Sequence, residues 1–130
     1  MSTLKDKIYT AGIIDGEGCI SIGCKKGKEY ALNVQVVNTN YDLMEYLKKI
    51  WGGGIAKHTT DMEKWKDPYM WTLSLTNLSR FLKEIIPYLK LKKKQAEIGI
   101  KFRTYKNMRK VDSERKSLYL QMRTLNKNGN

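Results

Sequence analysis

The chain reads as an α+β protein: a four-stranded antiparallel sheet backed by helices, in the order αββαββα, with helices added at the C-terminus. Three observations predict this. Three segments alternate apolar and polar residues, and a fourth, short one follows a triple glycine. The segments around them repeat apolar residues at helical spacing. Each alternating segment has one apolar and one polar face, so the sheet forms a saddle that buries one side only.

The elements follow in order. Residues 4–15 form the first helix. Residues 18–25 form a strand with Ile20, Ile22 and Cys24 on one face and Cys19, Ser21, Gly23 and Lys25 on the other. Lys26-Gly27-Lys28 is a turn signal. Residues 29–38 return as a second strand, with Leu32, Val34 and Val36 inward and Asn33 and Gln35 outward. Residues 40–51 form an amphipathic helix on Leu43, Leu47 and Ile50, ended by Gly52-Gly53-Gly54. A short strand over 55–58 precedes a polar loop over 59–68. Residues 69–76 alternate again, with Trp71, Leu73 and Leu75 on one side and Met70, Thr72, Ser74 and Thr76 on the other. Asn77 caps a helix that runs to Ile86 and stops at Pro87. The remainder is helical, with an apolar stripe of Leu91, Ile98 and Phe102. After a break at Val111-Asp112-Ser113, a final helix carries Leu118, Met122 and Leu125.

At 130 residues the chain suits one domain, with a core over about 4–105 and a basic helical tail over about 106–130. Lys and Arg number 25 against 13 acids, a net charge of +12. Thirteen of these bases fall in residues 90–127, opposed only by Glu97, Asp112 and Glu114. Such an excess suits a polyanionic partner such as DNA, RNA or an acidic membrane, or else a merely soluble basic surface. The basic residues are not paired with an exposed aromatic-apolar helix face, which argues against a membrane. There is no apolar run of spanning length and no signal-like N-terminus. The expected location is the cytoplasm and its nucleoid, or an organelle matrix, and not the secreted fraction. Cys19 and Cys24 lie an odd number of residues apart on one strand, so they face opposite ways and read as reduced packing residues. His58 is the only histidine, which leaves zinc sites and histidine-based nucleophiles poorly supported.

The most informative stretch is Thr10-Ala11-Gly12-Ile13-Ile14-Asp15-Gly16-Glu17-Gly18. Ala11 and Gly12 are small enough for a second helix to approach closely, which offsets the cost of a mid-helix glycine, about 1 kcal/mol. Gly16 can take the left-handed conformation that ends a helix. Glu17 then stands at the negative end of the helix dipole, a poor place for an acid and a good one for a cation.

This stretch resembles the signature of the LAGLIDADG homing endonucleases, with threonine in place of the first leucine and glutamate at the eighth position. Two further stretches resemble the family: Val36-Val37-Asn38-Thr39-Asn40, and Ile85-Ile86-Pro87-Tyr88-Leu89-Lys90-Leu91-Lys92-Lys93-Lys94-Gln95-Ala96. The likeness extends over about residues 4–105, and the αββαββα order is the family's core. It implies a site-specific, intron-encoded DNA endonuclease making a staggered, metal-dependent double-strand cut in a long, near-palindromic site. The same fold in a maturase that binds intron RNA is the alternative.

The resemblance also implies site residues. Glu17 is the metal ligand, beside the Gly16 carbonyl, for Mg²⁺ or another divalent cation. Lys92 corresponds to an active-site lysine or is an ordinary phosphate contact. Asn38 positions water or forms a turn. Asp42 departs from the basic residue that some relatives carry near there. A single motif implies a homodimer with Ile8, Ala11, Gly12 and Asp15 at the two-fold axis, Asp15 capping or bonding across the helix pair. The polar strand faces would read DNA through Ser21, Lys25, Lys28, Asn33, Gln35, Lys57, Thr72 and Ser74, extended by loop 59–66. Two protomers would then cover roughly sixteen to twenty base pairs. The alternative for each of these eight is a solvated strand face.

Overall fold

The computed structural model describes residues 2–25, 29–57, 67–104 and 112–127. Their elements are α1 (Leu4–Glu17), β1 (Gly18–Lys25), β2 (Glu29–Asn38), α2 (Tyr41–Trp51), β3 (Gly54–Lys57), β4 (Tyr69–Thr72), α3 (Leu78–Ile85), α4 (Lys93–Thr104) and α5 (Asp112–Lys127). The four strands form one antiparallel sheet in the order β1-β2-β4-β3. This is the predicted α+β saddle, with helices on one face. Ile20, Ile22, Leu32, Val34, Val36 and Trp71 fill that face and are buried against Met44, Leu47, Phe81, Leu82 and Phe102. The opposite face is open.

α1 is set by polar contacts at its start and along its length. Thr3 Oγ1 accepts from the Asp6 N–H at 3.1 Å, and the Asp6 carboxylate accepts from the Thr3 N–H at 3.0 Å, a closed capping box. Tyr46 of α2 donates to Asp6 Oδ1 at 2.7 Å, and buried Trp51 Nε1 donates to Thr10 Oγ1 at 2.9 Å. Two hydrogen bonds thus tie α2 along the motif helix.

Several expectations are corrected. α1 runs to Glu17, two residues past Asp15, because Gly16 stays helical; among the described residues the positive-φ glycines are Gly52 and Gly53, at 84° and 93°. The turn is made at Gly18 in extended backbone, where a Cβ would lie 2.7 Å from Ile14 Cα. β4 ends at Thr72. The Leu73 N–H crosses to Val34 O at 3.1 Å, and the chain then winds into a 3₁₀ turn over Leu75–Asn77. Ser74 and Thr76 therefore leave the strand face, and Leu75 is 57% exposed. Asn77 does not cap α3: its Nδ2 donates to Trp51 O and Ser74 Oγ, at 3.2 and 3.3 Å. Leu91 is 63% exposed in the turn before α4, outside the apolar stripe. The turn residues 26–28, loop residues 58–66 and the break at Val111 lie outside the described residues.

The final helix packs on the sheet. α5 lies along β1, with Leu118 and Met122 buried in the common core. Tyr119 contacts the Tyr30 ring at 5.3 Å, and Asn126 Nδ2 donates to Ile20 O at 3.0 Å.

Candidate active site

The site forms where α1 passes straight into β1. A helix leaves its last carbonyls unpaired and carries partial negative charge at that end. α1 has no basic residue in its own last turn. The cation comes from far along the chain. Lys92 Nζ lies 2.8 Å from Ile14 O, 3.2 Å from Asp15 O and 2.6 Å from Gly18 O. All three ammonium protons have acceptors. Burial pushes Lys92 below the usual lysine range, and the nearby Asp15 carboxylate opposes that shift.

Glu17 ends the helix on the exposed side. Its Oε2 accepts from Asn38 Nδ2 at 2.7 Å. Asn38 Oδ1 in turn accepts from the Asn40 N–H at 2.8 Å, and Asn40 Oδ1 accepts from the Leu43 N–H at 3.2 Å, capping α2. The end of β2 and the start of α2 therefore orient the carboxylate. Asn38 thus forms the expected turn through its Oδ1 and touches Glu17 directly through its Nδ2. Asp42 is exposed on α2 and makes no contact with this chain of bonds.

The donor set fits a hard divalent cation. Glu17 keeps its second carboxylate oxygen free of protein donors, and the Gly16 carbonyl stands outside the set held by Lys92. Among the described residues no three His, Cys, Asp or Glu side chains cluster as a cage. Mg²⁺ keeps several waters and takes one or two carboxylates, and one carboxylate beside a backbone carbonyl is a donor set of that kind.

The four residues assigned to a helix pair separate. Ala11 is fully buried in the chain's own core, and the half-buried Asp15 bonds to residues 90–92 of its own chain. Ile8 and Gly12 do face outward. With Leu4 and Gly16 they form an exposed stripe at four-residue spacing, Leu4 and Ile8 being 60% and 50% exposed. A Cβ at Gly12 or Gly16 would meet no atom within 4 Å. A shallow groove of about 590 Å³ runs from this stripe to Glu17 and Asn38.

Of the eight expected strand readers, four share the open face. The register pairs Ser21 with Asn33, Cys19 with Gln35, and Gln35 with Thr72. All are half-buried, and Asn33 Nδ2 donates to Gln35 Oε1 at 3.1 Å. Lys25 ends β1 in register with Glu29, and Lys28 lies outside the described residues. Lys57 is on the wrong face: it pairs with Tyr69, on the Trp71 side, and lies 3.8 Å from Asp67. Ser74 has left the sheet, as described above.

The LAGLIDADG endonuclease family model matches residues 10–112. The chain belongs to the LAGLIDADG endonuclease family. No curated protein sequence matches it. Among solved structures, the LAGLIDADG fold is shared with the homing endonuclease I-CvuI in complex with its target, at 22% identity and a TM-score of 0.72. That match covers 93% of this chain and 82% of the other. The archaeal intron-encoded homing endonuclease I-Vdi141I complexed with DNA matches at 17% identity and a TM-score of 0.77, over 93% and 84%. The homing endonuclease I-TnaI matches at 20% identity and a TM-score of 0.61, over 93% of each. Glu17 was singled out by the signature, and Asn38 and Lys92 by the other two stretches; the structure brings all three to the junction of α1 and β1. The bonding partners of Asp15 lie some 75 residues away and have no local sequence signal.

Proposed function

We propose that this LAGLIDADG protein is a divalent-metal-dependent, site-specific DNA endonuclease that cuts both strands of a near-palindromic duplex as a homodimer. The observation that carries this is the pairing of one exposed carboxylate, Glu17, with the outward stripe of Leu4, Ile8, Gly12 and Gly16. The chain's own packing has no use for glycine at 12 and 16. A second α1 approaching backbone to backbone does, and it brings a second Glu17 beside the first.

Glu17 and the Gly16 carbonyl would hold Mg²⁺, which supplies Lewis-acid activation of a phosphodiester and its attacking water. Asn38 fixes the Glu17 carboxylate. Lys92 places a positive charge at the base of the site, where phosphate charge grows during cleavage. The open sheet face, through Ser21, Asn33, Gln35 and Thr72, supplies donors and acceptors of the kind that read base edges. The relatives of known structure with bound DNA support the same use of the fold. A protein acting on DNA of its own genome works in the compartment that holds it.

Selection of cleaved members from a library of randomised palindromic duplexes in Mg²⁺ tests the reading. Recovery of a defined site cut on both strands supports it. No cutting of any duplex, with tight binding of structured RNA, replaces it with an RNA-binding maturase.

A further inference from the structure

Asp15 bonds to the same turn twice, once through its side chain and once through its main chain. Its Oδ2 accepts from the Lys90 N–H at 2.7 Å, and its Oδ1 accepts from the Leu91 and Lys92 N–H groups at 3.2 and 3.0 Å. Those three N–H groups precede α4, where neither a helix nor a strand supplies acceptors. Its backbone carbonyl then takes the Lys92 ammonium at 3.2 Å, alongside the Ile14 and Gly18 carbonyls. Hydrophobic packing does little to hold this turn. Leu91 is 63% exposed, Lys90 is exposed, and the nearest anchors are Leu89 before it and Gln95 and Ala96 after it.

We infer that Asp15 is a positioning residue for cleavage: by clamping the backbone of residues 90–92 it sets where the Lys92 ammonium stands relative to Glu17. The inference rests on the proposed roles of Glu17 and Lys92. Both Asp15 oxygens accept from N–H donors of the same chain, which assigns the carboxylate to this turn. A carboxylate suits the task because it offers acceptors only. An amide at the same place would put an NH₂ group against the Lys90 N–H.

Asp15→Asn tests this. Its single-turnover cleavage should slow about 100-fold, the cost of a displaced catalytic group, with affinity for the same duplex in EDTA changed less than about threefold. The amide hydrogens of Lys90, Leu91 and Lys92 should exchange at least about tenfold faster, while those of β1 and β2 keep their protection. In a Lys92→Ala background, Asp15→Asn should slow cleavage by no more than about twofold further, because its route is already gone. Asp15→Glu keeps the charge and displaces the clamp, so it should fold and cut at an intermediate rate. Should Asp15→Asn not fold, exchange and cleavage of Asp15→Glu decide the matter by the same criteria. Three results would overturn the inference: unchanged exchange at residues 90–92, cleavage within about threefold of the unmodified protein, or full multiplication with Lys92→Ala. Failure of the unmodified protein to cut any duplex would instead remove the functional reading on which the inference stands.

Discussion

The two sides of α1 carry similar small residues under opposite constraints. On the inward side, Thr10, Ala11 and Ile14 are fully buried, and Gly18 just past the helix end leaves no room for a Cβ beside Ile14. On the outward side, Gly12 and Gly16 have open space, and Leu4 and Ile8 are exposed. An inward glycine is explained by the atoms of its own chain. An outward glycine in mid-helix, costing about 1 kcal/mol against alanine, is not, and the proposed second α1 is what would explain it. The inward side accounts for the fold of the protomer, and the outward side carries the proposed assembly.

The largest expected effect lies at the outward end. Glu17→Gln should lower cleavage by about a thousandfold or more, roughly 4 kcal/mol, because the amide cannot replace a charged ligand. Duplex affinity should hold, since phosphate and strand-face contacts lie elsewhere. Cleavage and binding assays on one duplex measure both, and undiminished cutting would reduce Glu17 to a helix-ending acid.

Gly12→Leu breaks the comparison most directly. Sedimentation at micromolar concentration should show a monomer in place of a dimer, with double-strand cutting lost. The protomer itself should keep or gain up to about 1 kcal/mol in thermal unfolding, since a good helix former replaces glycine in open space. A dimer that survives leucine at this position would move the subunit interface off α1.

Gly18→Ala is the inward counterpart. It should destabilise the protomer by about 1–3 kcal/mol through overpacking against Ile14, seen as a lower Tm. An unchanged Tm would mean that the helix-to-strand junction yields more easily than its 2.7 Å approach implies.

The smallest effect concerns the bond between α1 and α2. Burial, then the hydrogen bond to Asp6, pushes the Tyr46 phenol up to about 12, and that bond in turn holds Asp6 below the usual carboxylate range. A phenol whose pKa is raised on folding contributes its stability fully below about pH 10 and loses it as pH rises toward 12. Asp6 contributes above its ordinary pKa of 3.8 and loses that contribution as pH falls below it. Tyr46→Phe should cost about 1 kcal/mol near neutral pH and flatten the alkaline decline in unfolding free energy. A decline as steep as before would assign it to other groups.

Much of the fold was legible because alternation is a strong signal. The bounds of β1 and β2 follow directly from residues whose side chains face alternately in and out. The errors fall where local chemistry is ambiguous. Gly16 permits a helix to end but does not compel it, and the helix continued. Residues 69–76 alternate throughout, yet pairing stops at Thr72 because Leu73 bonds to Val34 and the chain turns away. Lys57 sits on a four-residue strand whose register against β4 no local pattern specifies. Glu17, Asn38 and Lys92 were singled out by their motifs, and the fold gathers them around the end of α1. Asp15 was read as capping or bonding across a helix pair; the N–H groups that it accepts, at residues 90–92, are too distant in sequence for helical spacing to name.

The direct passage from α1 into β1 has a consequence for retargeting. No loop separates Glu17 from the strand that carries Ser21, so the proposed cutting carboxylate and the proposed reading surface share one unbroken piece of backbone. In the proposed enzyme this piece works as a ruler. From Glu17 to Ser21 it spans about 13 Å at strand rise, and side-chain replacement leaves that length unchanged. Exchanging Ser21, Asn33, Gln35 or Thr72 would change the letters that are read and leave the cut at a fixed offset from them.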